Sequence, residues 1–411
     1  MSILRRLLRW IRSGALVVAA GAGLLVLLSA ASNLGLSRSS AVVERLSQVQ
    51  KARVAEAYHL RQSLGDTIWP GWGSAALAQI VYNEGYVFLL QLPDPQPGWY
   101  REPSHTLRGE AWSAVPADEF LGRPYYRQPL DDGDPTPEAF AVRVGDRWTG
   151  SIMTQEWARL DLGREIRSNI PSAMRWIPPY RILGRLFFRD AEHHISLILH
   201  ESFHAFQGKA AWERFRDAEG SATMGEEYPW RGSDLEEAWG RETGLLADAL
   251  EAESDAGSRA LAREFLQVRK ERRSALSSDL VAYERDREWV EGPAKYVETR
   301  SLLAAHRATD YRSLCSMAVD SEFREYRGAE EAWSREVAQL RRAASGGRES
   351  RFYYTGMAQA VLLDRLAMEG WKARAMNDGM ALEDLLAEAV RSGSGPPPLV
   401  QPPSGAPADS R

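Results

Sequence analysis

Apolar positions recur along this chain with two periods that divide it into regions of different character. Over 41–64 the run AVVERLSQVQKARVAEAYHLRQSL has apolar residues three to four apart, which predicts a membrane-proximal amphipathic helix with His59 as an ordinary helix residue. The segment 76–92, ALAQIVYNEGYVFLLQL, is rich in β-branched and aromatic residues around Asn83-Glu84-Gly85 and predicts a β-hairpin. FAVRVGDRWTGSIM, 140–153, predicts a second hairpin turning at Gly145-Asp146. Between them lies a Pro/Gly/Asp-rich stretch with little periodicity, including LPDPQPGW and PLDDGDPTP, which reads as long loops.

Beyond Arg185 the pattern becomes helical. One helix ends near Gly208, another begins at a capping box Ser233-x-x-Glu236, and a long charged pattern runs over 258–306. Its charges, in LAREFLQVRKERRSALSSDL, read as a solvated helix face. The tail from Ser392, SGSGPPPLVQPPSGAPADSR, lacks the apolar residues needed for a core and reads as disordered. No repeat of 20 to 50 residues is present.

At the N-terminus Arg5, Arg6, Arg9 and Arg12 precede an uncharged segment over 13–37, a basic n-region followed by a hydrophobic stretch. It reads as a signal anchor or, with Ser29-Ala30-Ala31 as a cleavage site, as a signal peptide; both send residue 38 onward across the membrane. The anticipated organisation is a cytoplasmic 1–12, the segment 13–37, a membrane-proximal helix and hairpin region 38–155, a catalytic domain 156–391 and the tail 392–411. The net charge of −5, with no basic stripe beyond the N-terminus, argues against nucleic acid as a partner. The single cysteine, Cys315, excludes an intramolecular disulfide or a multi-cysteine metal cluster, and is read as a small buried apolar residue.

The chemistry concentrates in 191–209, AEHHISLILHESFHAFQGK, where His200, Glu201 and His204 have the zinc-hydrolase spacing H-E-x-x-H within an apolar helical run. Residues four apart lie one above the other on a helix, so both imidazoles can address one Zn2+ ion. Glu201, about 100° further round, then flanks the open coordination position. A third ligand must come from elsewhere. Glu291 and, at shorter distance, Glu236, Glu237 and Glu242 are the candidates. His193 and His194 read as residues of the helix N-terminus, and His105 and His306 have no motif partners.

Trp289-Val290-Glu291-Gly292-Pro293-Ala294-Lys295-Tyr296-Val297-Glu298 resembles the W-L-N-E-G-F-A-x-Y-x-E segment of the gluzincin aminopeptidases. Tyr353-Tyr354-Thr355-Gly356-Met357-Ala358 resembles the stretch in which that family places a tyrosine three residues before a helix glycine. The resemblance implies an α+β, zincin-like fold, with Glu291 as third zinc ligand, Glu298 in hydrogen-bond reach of a ligand, and Tyr353, or else Tyr354, as oxyanion donor. It implies a zinc metallopeptidase acting on a peptide or protein substrate, with Glu201 as general base to a zinc-activated water. The chain departs from the family in having 86 residues between His204 and Glu291, which requires a helical insertion. It also lacks the G-x-M-E-N amine-binding motif; its nearest string, at Gly150 to Thr154, predicts only a strand able to align a peptide. An anchored zincin-fold binding protein without turnover, and a zinc hydrolase of a non-peptide bond, are the alternatives. The oligomeric state is not encoded in these features.

Overall fold

The computed structural model describes residues 21, 23–130 and 141–392. Residues 1–20 and 393–411, most of the basic N-terminal region and the Pro-rich tail, lie outside them. No helix among the described residues is long and apolar enough to cross a membrane. The fold is α+β and divides into two compact units, one built from Met1–Arg216 and Val297–Trp333, the other from Asp217–Tyr296 and Ser334–Arg411.

The first unit contains an eight-stranded sheet of order β4-β3-β7-β8-β1-β2-β6-β5. Both anticipated hairpins are present. β1 (Ala78–Tyr82) pairs antiparallel with β2 (Tyr86–Leu90), and the turn is held by Asn83, whose Oδ1 accepts from the Gly85 and Tyr86 amides at 2.9 Å each. β7 (Val142–Val144) turns through Gly145, at φ +56°, into β8 (Arg147–Met153). The sheet is larger than two hairpins, because the region read as loops contributes β3 (Trp99–Arg101), β4 (Thr106–Arg108), β5 (Ser113–Phe120) and β6 (Arg123–Pro129). Three-residue strands are too short to establish alternation. β5 carries Pro116 and changes register between Ala114 and Glu119, which masks its period in the sequence.

β8 is an inner strand. It runs parallel to β1 over its last five residues, while β7 pairs with it only as far as Thr149. That register puts Thr149, Ser151 and Met153 on the face of Ala78, Ile80 and Tyr82, and Gly150 and Ile152 on the opposite face with Gln79 and Val81.

Thr154 ends β8 and caps α2 (Gln155–Ser168), its hydroxyl accepting from the Trp157 amide at 3.2 Å. The helix expected over 41–64, α1, spans Gln48–Ile68, because Ser47 is its N-cap. It is not amphipathic: Lys51, Arg53, Glu56 and Arg61 are buried along with its apolar residues, and Arg53 is held by Asp320 and Glu322. After α3 (Tyr180–Phe187) comes α4 (Ala191–Ala210), capped by Asp190, which accepts from the His193 amide at 2.9 Å. α4 lies against β8. A Cβ at Gly150 would stand 2.9 Å from the backbone carbonyl of Glu201 and 3.0 Å from the Ser202 amide nitrogen, so only glycine lets helix and strand approach this closely.

α5 (Trp212–Gly220) follows α4. The second unit is helical, with α6 (Ser233–Glu251), α7 (Asp255–Arg273), the first part of α8 (Ser278–Arg307), most of α9 (Ala329–Gly346), α10 (Ser350–Arg365), α11 (Trp371–Asn377) and α12 (Leu382–Ser392). α6 begins where anticipated, but its cap position is Gly232 and no side chain caps it. Only part of the charge on α7 is a solvated face: Arg263, Glu264, Lys270 and Glu271 are exposed, and the other arginines of the stretch are not. Arg269, Arg272 and Arg273 are buried and paired with Glu242, Glu284, Glu288 and Glu383. Burial favours the neutral form of Glu284 and Glu383, but the arginines outweigh it, Arg272 and Arg273 for Glu284 and Arg273, Arg269 and Arg285 for Glu383, and hold both carboxyls at about 2.

Two predictions follow from this packing. Gly150→Ala places a methyl group against the Glu201 backbone and should destabilise the protein by about 1–3 kcal/mol in denaturant unfolding; an unchanged midpoint would show that α4 does not rest on β8. Because Glu284 and Glu383 are held below their ordinary value of 4.5, the stability they contribute is present above it and is lost as pH falls toward 2. Stability should then drop by at least about 2 kcal/mol per pH unit in that window, and a flat profile from pH 4.5 down to 2.5 would contradict the arginine pairing.

Candidate metal centre

Sixteen of the 20 residues of α4 are buried, among them His200, Glu201, His204 and Gln207. The four-residue spacing stacks the two imidazoles, with ring centroids 4.7 Å apart and planes at 81°. Their Nε2 atoms approach to 3.1 Å. Gln207 Oε1 is hydrogen-bonded to His204 Nδ1 at 2.9 Å, and the Glu298 carboxylate stands beside His200 Nδ1 at 3.2 Å, an ion-pair distance outside hydrogen-bond geometry. The Gln207 oxygen assigns the proton of His204 to Nδ1 and the carboxylate beside His200 Nδ1 favours the same tautomer there, an arrangement in which the two Nε2 lone pairs converge. Two lone pairs at that distance repel unless a cation lies between them. Nitrogens bound at about 2.1 Å to one tetrahedral ion would be about 3.4 Å apart, close to the spacing observed.

α8 supplies the carboxylates. Glu291 and Glu298 are seven residues apart on this one helix, hence on one face, and both are buried. His200, His204 and Glu291 each offer a ligand atom, all lying within 4.8 Å of one another, and this group can hold a metal ion. Neither Glu236 nor Glu237 is buried, and Glu242 is engaged by Arg269 and Arg272. Of the four glutamates open to the third position, Glu291 is the one grouped with the histidines.

The setting of Glu291 depends on two glycines. A Cβ at Gly292 would lie 2.5 Å from the Gly356 Cα, and one at Gly356 would lie 2.6 Å from the Glu288 carbonyl oxygen, so α8 and α10 touch through their backbones. The two stretches that carried the family resemblance therefore meet. Pro293, inside α8, lacks the amide that would bond back to Trp289. Arg287, one turn before Glu291, binds its Oε1 at 2.7 Å and also Glu219 at 3.1 Å. Burial pushes the Arg287 guanidinium down, but Glu291, Glu219 and Glu349, with the phenol of Tyr353, outweigh this and hold it above its ordinary value. Tyr353, half-buried, thus stands on the side of α10 that the Arg287 charge reaches. Tyr354 instead has its ring near the Lys295 ammonium, 5.7 Å from Nζ to centroid.

The remaining histidines lie elsewhere. His194 is buried and its Nε2 meets the Met153 carbonyl at 3.1 Å, tying α4 to the end of β8; burial, reinforced by Arg53, lowers its pKa to about 3. His105 contacts Glu102 and Arg143, and His306 is exposed. Cys315 is exposed rather than buried, since the turn that carries it leaves Met317 as its one buried residue. Gln207, Arg287 and Gly150 had not been singled out in the sequence. The first two sit one turn from a recognisable residue, at i+3 from His204 and i−4 from Glu291.

No family model matches the chain, no curated protein matches it in sequence, and no solved structure matches its fold.

If Glu298 and Gln207 orient the imidazoles, Glu298→Ala or Gln207→Leu should weaken zinc binding by about 10–100-fold in competition with a chromogenic chelator. Unchanged affinity in both variants would mean that the Nδ1 contacts do not set the ring orientation.

Proposed function

We propose that this chain is a zinc-dependent metallopeptidase, a zincin of the gluzincin type. The observation that carries the reading is the approach of the His200 and His204 Nε2 atoms to 3.1 Å, beside a buried glutamate on the same helix. The donor set of two imidazoles and one carboxylate matches the preference of catalytic zinc and leaves a coordination position open. A purely structural site needs no base beside it. Glu201, adjacent to His200 in the chain, is that base.

In this reading His200, His204 and Glu291 hold the ion, while Glu298, Gln207 and Arg287 fix the three ligands in place. Zinc in this site supplies Lewis-acid polarisation of the scissile carbonyl and of the attacking water. Glu201 takes the proton from that water and passes it to the leaving amine. Tyr353 donates its phenolic hydrogen to the developing oxyanion. The basic N-terminal residues and the uncharged 13–37 support retention at a membrane, with the catalytic residues on its outer side. A peptide or protein is the substrate class.

The test is metal content and peptide hydrolysis of the full chain. Wild type should carry one zinc, Glu291→Ala should lose it, and Glu201→Gln should keep it while losing activity by at least about 10²-fold. Turnover unchanged in Glu201→Gln would sink the general-base assignment. Bound zinc without hydrolysis of any peptide in a library would favour a non-peptide bond or a binding protein that retains the site.

A further inference from the structure

Within the first unit, a cavity of about 1150 Å³ opens between residues 33–38, α2 and α3, and neither His200 nor His204 lines it. Eight arginines and three carboxylates, Glu156, Asp320 and Glu322, line it. Arg53 and Arg159 are neutralised by Asp320 and Glu322. That leaves Arg38, Arg164, Arg167, Arg175, Arg181 and Arg185, none of which pairs with a carboxylate among the described residues. Neutral groups hold several of them instead. Arg164 and Arg167 lie over the rings of Trp157 and Tyr180 at 4.3 and 4.2 Å, Arg175 donates to the Ile170 carbonyl at 3.1 Å, and Arg181 to the Leu34 carbonyl at 3.4 Å. Gathering six guanidinium groups with one carboxylate among them, Glu156, which accepts from the Ala41 amide, is unfavourable through self-repulsion, and an anion with several acceptor oxygens relieves it.

Beside these charges lies an apolar rim. Met174, Trp176, Ile182, Leu186 and Phe187 are each more than half exposed. On α3, Ile182 and Leu186 form one stripe and Arg181 and Arg185 the adjoining one, the pattern of a helix lying in a membrane interface. This rim is continuous with the uncharged N-terminal run: Asn33 donates to the Pro178 carbonyl at 2.7 Å and accepts from the Tyr180 amide at 3.0 Å, and Ser29 donates to the Ile177 carbonyl. The helical stretch 23–32 leading to it exposes Leu24, Leu25, Leu27 and Leu28.

We infer that this cavity binds the phosphate headgroup of an anionic phospholipid, with the acyl chains against the rim of Trp176, Ile182, Leu186 and Phe187. A soluble phosphate would be served by the arginines alone and would have no use for the rim. A neutral lipid would leave the arginines uncompensated. The site is independent of the metal centre and stands or falls apart from it.

Native mass spectrometry of the full chain, in neutral detergent with equal amounts of phosphatidylglycerol and phosphatidylcholine, tests the inference. Phosphatidylglycerol should be retained in at least about tenfold excess, the effect of only one to two basic residues near an anionic headgroup. Arg181→Gln with Arg185→Gln, both at exposed positions, should bring the ratio close to one, which separates this site from any preference due to the N-terminal arginines. Ile182→Gln with Leu186→Gln should reduce phosphatidylglycerol retention. Equal retention of the two lipids by wild type, a ratio unchanged in the arginine variant, or displacement of the lipid by millimolar inorganic phosphate would overturn the proposal.

Discussion

A helix with 16 buried residues that include three histidines and two glutamates must find partners for the polar groups it takes out of water, and α4 imposes that requirement on its surroundings. Glu192 accepts from the amides of Arg324 and Tyr326, and His194 meets the carbonyl of Met153. Gln207 and Glu298 take the outer nitrogens of His204 and His200. Once those partners are in place the inner nitrogens have nowhere to point except at each other. With Glu291 these nitrogens make up the group able to hold a metal ion.

Backbone approach serves the same end twice. Gly150 brings β8 to the backbone of Glu201, and Gly292 with Gly356 brings α8 to α10. In each case the glycine stands next to a residue of the site, or opposite one, and no side chain intervenes. The buried arginines of α7 give the second unit a core fixed by directional charge pairs as well as by apolar packing. Arg272 is held between Glu242 and Glu284 with its guanidinium 3.9 Å from the centre of the Trp239 ring, and Arg269 reaches three carboxylates on three different helices. Removing one member would leave a charge buried without its partner, which is costly.

What the sequence disclosed follows from the distance over which each signal acts. His200, Glu201 and His204 were legible because a helix turns a four-residue spacing into a shared direction. The hairpins were legible from alternation and from Asn83 and Gly145, each of which shapes its own turn. Glu291 was reached through the pattern of residues around it, since nothing at position 204 indicates a partner 87 residues on. The α7 arginines were read as solvated because their partners come from α6, α8 and α12, and a charged helix face looks the same in sequence whether water or carboxylates cover it. β3 and β4 were missed because three residues cannot show a period of two, and β5 because Pro116 and a register shift break its alternation. Gly150 carries no sign in the sequence of the helix that rests on it.

The central claim is that the two Nε2 atoms face a metal rather than share a proton. Anomalous scattering at the zinc edge from crystals of the zinc-loaded full chain tests it directly. The account predicts one peak about 2.0–2.2 Å from His200 Nε2, His204 Nε2 and a Glu291 carboxylate oxygen. A peak only at other residues, with the two imidazoles still in direct contact at about 3 Å, would contradict it.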